Sequence, residues 1–187
     1  MIVILGKTCS GKDTIVNRLI EKYGYEKIII YTTRPMRKGE VQDKTYHFIS
    51  EKEFKEKINS NFFLEYKKYN TVHGEWFYGS AKEDFVDSKN KIIIVTPDGY
   101  KDSIYHLNKN GDKQFHLALY IYANNSTILK RLKKRGDNKE EANRRLTYDN
   151  KDFKGVVDIV DRIFYNNEFD EVETVVDEIH EYIQMGM

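Results

Sequence analysis

Residues 6–12 read GKTCSGK, which fits the spacing G-x-x-x-x-G-K, and they stand directly after the apolar run MIVIL. No other stretch restricts the fold as much. Glycines at both ends let the backbone curl until successive N–H groups point inward. A helix starting at the second glycine adds the positive end of its dipole, and Lys12 adds a full charge. A strand-to-helix turn with an incidental lysine shares the pattern. The placement between a strand signal and a helix signal favours a phosphate cradle of Gly6, Lys7, Thr8, Cys9, Ser10, Gly11 and Lys12. The slot after the lysine, where a Ser or Thr hydroxyl commonly meets Mg²⁺, holds Asp13, and Thr14 follows. Two arrangements stand open: Thr14 faces a phosphate, or Asp13 holds the metal through water.

Such a loop needs a buried strand before it, and the chain supplies several. MIVIL, KIIIY and KIIIV are near-continuous β-branched runs, as in strands covered on both faces, and FHLALYIY and RIFY make a fourth and fifth. Helix-like stretches alternate with them, so an α/β fold with a parallel sheet flanked by helices is expected. Asp13 to Tyr23 sets Ile15, Val16, Leu19, Ile20 and Tyr23 on one helical face before Gly24. Ser50 and Glu53 form a capping box ahead of EKEFKEKI, and Ser126 is the expected cap of TILKRLKKR. From about Thr32 to Ser80 the pattern changes. FFLEYKKY and EWFYG around NTVHG read as a hairpin, which marks an inserted subdomain. The 187 residues, 40% of them hydrophobic, suit one domain with a sizeable core.

Charge excludes some classes of function. Lys and Arg total 31 against 30 Asp and Glu, so the net charge of +1 gives no global attraction to nucleic acid or to a membrane. Neither is an expected partner. A single Cys rules out an internal disulfide framework and multi-cysteine zinc sites. With no basic-then-apolar leader and no apolar run near the ~20 residues that span a bilayer, a cytoplasmic chain is expected. Local basic groups remain. TTRPMRKGEVQDKTYHF sets Arg34 and Arg37 ahead of Tyr46, and a planar guanidinium grips phosphate through two parallel bonds. These residues suit a dianionic monophosphate, with a solvated basic loop as the alternative.

TTRPMRKGE, then FFLEY, then YGS, in this order after the phosphate loop, resembles the guanylate kinase family. The resemblance runs nearly end to end. It continues through ILKRLKKRG, similar to the family's arginine-bearing lid, through EEANRRL, and into FYNNEFDEV, similar to its last strand and the start of its final helix. The resemblance implies a P-loop kinase with a five-stranded parallel core sheet flanked by helices, a small inserted mixed β subdomain for the monophosphate, and a helical lid. The core would take about 1–31, 81–128 and 155–187, the monophosphate subdomain 32–80 and the lid 129–154. It also implies ATP and Mg²⁺ with GMP or dGMP as acceptor, and a monomer or homodimer.

Carried over residue by residue, Arg34, Arg37, Tyr46 and Tyr78 match family positions that hold the acceptor's phosphate, and Glu40 an acidic position supporting them. Glu65 and Ser80 match positions facing guanine, whose N1–H and exocyclic amine are adjacent donors for one carboxylate. The polar face of an alternating strand is the plain alternative for Glu65. Arg131, Arg135 and Arg145 match the arginines that close over the polyphosphate, while Lys133 and Lys134 read as solvated. Asn166 in the last motif falls on the nucleotide side. Three features depart from the family pattern: Ile30 stands where a serine is common near the base, Thr96 where an acid is usual, and the segment from Glu65 to Tyr78 is long. Asp98, close to Thr96, is placed to take over a water-mediated metal or base contact. Phosphate chemistry reads as intact and base recognition as altered.

Overall fold

A computed structural model describes residues 1–37, 39–71, 74–109, 116–137 and 139–186. In chain order the strands are β1 Ile2–Leu5, β2 Glu26–Lys27, β3 Tyr31–Thr32, β4 His47–Phe48, β5 Phe63–Thr71, β6 Gly74–Ala81, β7 Lys91–Ile94, β8 Leu117–Tyr122 and β9 Arg162–Tyr165. The helices are α1 Lys12–Tyr23, α2 Glu51–Asn59, α3 Pro97–Lys109, α4 Asn125–Arg135, α5 Lys139–Asp152 and α6 Val172–Gly186. They form two compact units. The first takes Met1–Lys27, Lys89–Asp98 and Phe115–Met187, and the second Ile28–Ser88 and Gly99–Gln114.

The first unit holds a five-stranded sheet in the order β2-β7-β1-β8-β9, every pair parallel. β1 is its centre and is buried throughout, which is why its run carries no polar alternation. Against it pack Ile15, Val16 and Leu19 of α1 and Val175, Val176, Ile179 and Ile183 of α6. The α1 face is the one its spacing predicts, and Gly24 closes the helix in the left-handed region at φ 71°. A smaller cluster joins Ala123, Ile128 and Leu132 to Ala142 and Leu146 of α5. That cluster joins α4 and α5 within the first unit.

The second unit carries a four-stranded mixed sheet, β4-β3-β6-β5. β5 and β6 form the predicted hairpin, in register from Glu65↔Ser80 to Thr71↔Gly74, while its turn at Val72 and His73 lies outside the described residues. Phe54 of α2 packs on Phe63 and Phe77 to make its core. The Ser50–Glu53 capping box is present in both directions.

Three expectations change. KIIIY is not one strand: pairing with β7 stops after Lys27, and pairing with β6 begins at Tyr31. A run apolar on all sides fits either sheet, so its sequence does not mark the switch. Helix α4 is capped by Asn124, whose side chain accepts from the Thr127 N–H, while the Ser126 hydroxyl donates to that same Asn124 oxygen. The unit boundaries also shift, the second unit starting at residue 28 and taking in most of α3. The expected strand FHLALYIY is found from Leu117, and its residue 115 lies outside the described residues.

Candidate functional site

The phosphate loop leaves β1 at Gly6 and enters α1 at Gly11. Gly11 sits at φ 94°, a left-handed conformation, and a Cβ there would lie 2.1 Å from Asn166 Nδ2. Only glycine fits. Asn166 Nδ2 in turn donates to the Ser10 carbonyl at 2.8 Å, so the last strand's end pins the loop's curl. The Asn166 Oδ1 and Ser10 Oγ are buried without a hydrogen-bond partner among the described residues. Cys9 has a positive φ of 53° and packs with the Ala123, Ile128 and Leu132 cluster, so its side chain serves the loop's seating. Lys12 Nζ donates to the Lys7 carbonyl at 3.2 Å and lies 3.9 Å from Asp13 Oδ2. Asp13 and Thr14 are exposed in the first turn of α1.

Arg131, Arg135 and Arg145 are placed unequally. Arg131 donates through Nη1 to the carbonyls of Cys9 at 3.2 Å and Ser10 at 3.1 Å, and through Nη2 to that of Asn167 at 3.3 Å. It braces the loop from behind. Arg135 Nε donates to Asp137 Oδ2 at 2.6 Å, and Arg145 Nη1 lies 3.6 Å from the other carboxylate oxygen. Asp137 thus gathers two cations that helical spacing alone would not unite. Lys133 and Lys134 are exposed, as a solvated face requires.

Two further residues escaped the sequence reading. Asp149 of α5 accepts the Thr8 N–H at 2.6 Å, and Asn150 accepts from Lys7 Nζ at 2.6 Å. Burial raises the Asp149 carboxyl above the usual carboxylate range, against the Thr8 bond and the charges of Lys12 and Lys7. No short-range pattern announces contacts across more than a hundred residues.

In the second unit the Thr-Thr pair before Arg34 fixes it to β6. Thr32 Oγ1 donates to the Phe77 carbonyl and accepts the Arg34 N–H, and Thr33 Oγ1 accepts the Phe77 N–H. Arg34, 3% exposed, makes a two-pronged bond to Glu40 at 2.9 and 2.7 Å and donates to the Pro35 carbonyl. Burial alone would raise the Glu40 carboxyl; the Arg34 fork overrides it and holds the group below its ordinary value. The guanidinium lies 5.3 Å from the Tyr46 ring centre, and Tyr46 lies 6.0 Å from Tyr78. Arg34, Glu40, Tyr46 and Tyr78 are thus brought together. Arg37 donates its backbone N–H to Glu40, and its side chain is exposed. On the hairpin, Ser80 Oγ donates to Glu65 Oε1 at 2.7 Å. Burial pushes the Glu65 carboxyl up, with Asp102 adding to the rise and Ser80 and Lys67 opposing it. Ile30 is half-buried and its carbonyl accepts the His47 N–H. Thr96 and Asp98 lie in the first unit, at the junction of β7 with α3.

A glycine cradle between the central strand of a parallel sheet and its first helix, braced by arginine and asparagine, defines a P-loop α/β protein. The second unit carries the buried Arg34 guanidinium and, on the β5–β6 hairpin, a carboxylate–hydroxyl pair. The chain belongs to the guanylate kinase family, whose model matches residues 1–184. A guanylate kinase of Clostridium tetani is 35% identical over 116 residues, 56% of this chain and 54% of that protein. One of Caldanaerobacter subterraneus subsp. tengcongensis is 34% identical over 149 residues, 75% of this chain and 66% of that protein. The chain therefore spans between about half and two thirds of the length of the curated relatives it matches. A crystal structure of guanylate kinase from Anaplasma phagocytophilum shares the fold, with a TM-score of 0.66 at 19% identity, covering 100% of this chain and 85% of that one. Among the described residues no helix is long and apolar enough to cross a membrane.

Proposed function

We propose that the protein transfers the γ-phosphoryl of ATP to GMP or dGMP. The observation that carries this reading is the hairpin register: Glu65 stands opposite Ser80, and Tyr78, of the Arg34 group, is two residues further along the same face. A carboxylate accepting both N1–H and the amine of guanine, next to a guanidinium for its phosphate, describes a guanine nucleotide and not an adenine one. Arg34 has five N–H donors; three go to Pro35 and Glu40, and Nε with the second Nη2 hydrogen suits a phosphate oxygen.

On the donor side the N–H groups where the loop enters α1 and the Lys12 ammonium hold the polyphosphate, and Arg135 and Arg145 neutralise charge on the transferred group. Arg131 acts through the loop it braces. Transfer of this kind asks the protein for position and charge rather than for covalent help. The exposed Asp13 carboxylate and Thr14 hydroxyl beside Lys12 are hard oxygen donors. They fit Mg²⁺, which takes one or two protein oxygens and keeps water and phosphate for the rest. Bound there with the nucleotide, it would neutralise phosphate charge. Both earlier alternatives for the hydroxyl and the carboxylate stay available in this geometry.

The test is a screen of purified protein with ATP and Mg²⁺ against GMP, dGMP, AMP, IMP, CMP, UMP and dTMP. GMP or dGMP should give the highest kcat/KM, and Lys12→Ala should abolish turnover while leaving the thermal transition in place. A better substrate among the other bases refutes the guanine assignment. Near-normal turnover of a folded Lys12→Ala protein refutes the kinase reading.

A further inference from the structure

Arg135 and Arg145 reach the phosphate loop from two different helices, and they share one counterion. Arg135 stands four residues after Arg131 on α4, and Arg145 four before Asp149 on α5, so each lies one helical turn from a side chain that bonds the loop. Arg131 donates to the carbonyls of Cys9 and Ser10, and Asp149 accepts the Thr8 N–H. Cys9 also packs in the cluster that joins Leu132 of α4 to Ala142 and Leu146 of α5. These contacts set both arginines beside the loop.

Asp137 lies between them, in the turn from α4 to α5. Backbone bonds close that turn: Gly136 is left-handed at φ 89°, and the Asp137 N–H donates to the Leu132 carbonyl at 3.2 Å. The carboxylate is not needed for the closure. It faces the two arginines instead, with Oδ2 accepting from Arg135 Nε at 2.6 Å and Oδ1 lying 3.6 Å from Arg145 Nη1. Two guanidiniums converging on one site repel each other, and each rides on a long flexible stem. A carboxylate between them offsets the repulsion and fixes their separation, while the three groups together keep an excess of positive charge. A guanidinium held at Nε still has its Nη hydrogens for a phosphate. With the Arg135 side chain 43% exposed, the pairing contributes little to stability.

Resting on the reading of Arg135 and Arg145 as the arginines that neutralise the transferred group, we propose that Asp137 is a positioning residue for the transfer step, holding the two guanidiniums at the spacing at which both meet the phosphoryl oxygens. Without it each arginine is still present, and the polyphosphate still meets the loop and Lys12. What is lost is the alignment, and a displacement of about 1 Å at a charge-stabilising group lowers a rate by about 100-fold.

The experiment compares wild type, Asp137→Ala and Asp137→Glu by three measurements: the single-turnover rate of transfer from ATP to the best acceptor of the monophosphate screen, ATP affinity by calorimetry, and Tm. Asp137→Ala should slow transfer by roughly 10- to 100-fold while ATP affinity holds or rises, because a negative charge near the polyphosphate has been removed. Its Tm should stay within about 4 °C of wild type, as for any exposed ion pair in a chain of this size. Asp137→Glu keeps the charge and should recover most of the rate. An unchanged or faster rate in Asp137→Ala overturns the proposal and leaves the kinase reading standing. A slower rate accompanied by weaker ATP binding or a larger fall in Tm shows a structural role and also overturns it, as does Asp137→Glu behaving no better than Asp137→Ala. A wild-type protein that transfers phosphoryl to none of the monophosphates overturns both readings.

Discussion

At the scale of single residues, the chain sets a negative charge against its own phosphate loop. Asp149 accepts the Thr8 N–H at 2.6 Å, which orders the loop but repels a polyphosphate arriving there. Asp149→Asn keeps an acceptor oxygen and removes the charge. It should tighten ATP binding about 3- to 10-fold in a calorimetric titration, the order expected for one partly screened charge. Weaker binding would show that the carboxylate itself is required. Asp149 and Asp102 were illegible in the sequence because each acts on a residue that only the fold brings near, and Asp137, two residues from Arg135, because nothing in the sequence marks Arg145 as its second partner. Gly6, Gly11 and Lys12 were legible because their chemistry is local, a curl followed by a helix start. Glu65 and Ser80 lie between these cases. The hairpin was readable, but the register that pairs them became certain only with the strands in place.

At the scale of elements, the segment from Tyr31 to Phe48 depends on one buried pair. Arg34 at 3% exposure is tied by two bonds to Glu40, whose side chain is 17% exposed. Removing one partner of such a pair leaves an uncompensated charge out of water, which costs about 3 kcal/mol or more. Glu40→Ala should therefore lower Tm by roughly 6–12 °C, the shift such a loss gives in a chain of this size. GMP or inorganic phosphate should recover part of the shift by supplying the missing negative charge. A Tm within about 2 °C of wild type would show that water reaches Arg34 freely. Helices were more legible than short strands, because caps and spacing repeat over several turns. β2 and β3 are two-residue pieces of one apolar run, and nothing in that run distinguishes the sheet it leaves from the sheet it joins. Asn124 outcompetes Ser126 as a cap because it stands one residue outside the helix, with its backbone extended at φ −69° and ψ 159°.

At the scale of the whole molecule, the α/β class and the inserted hairpin were readable from periodicity, while the unit boundaries were not. They are set by where α3 packs, and an amphipathic helix does not name its partner. The sheet order has a consequence in time. β1 stands at the centre of the first sheet, yet Ile2 finds its neighbours only at Ile92 and Leu117. At a synthesis rate of about 5–20 residues per second, that strand waits roughly 5–20 s for β7 and longer for β8. The second unit draws only on residues 28–88 and 99–114, so it is complete in sequence before β8 exists. In refolding followed by pulsed hydrogen exchange, the amides of β5 and β6 should gain protection before those of β1, since loop closure over long separations is slow. Simultaneous protection would mean one cooperative step. If the order holds, β1, made before the two strands that flank it, is sheltered after β5 and β6, and the newly made chain is most prone to aggregate in that interval.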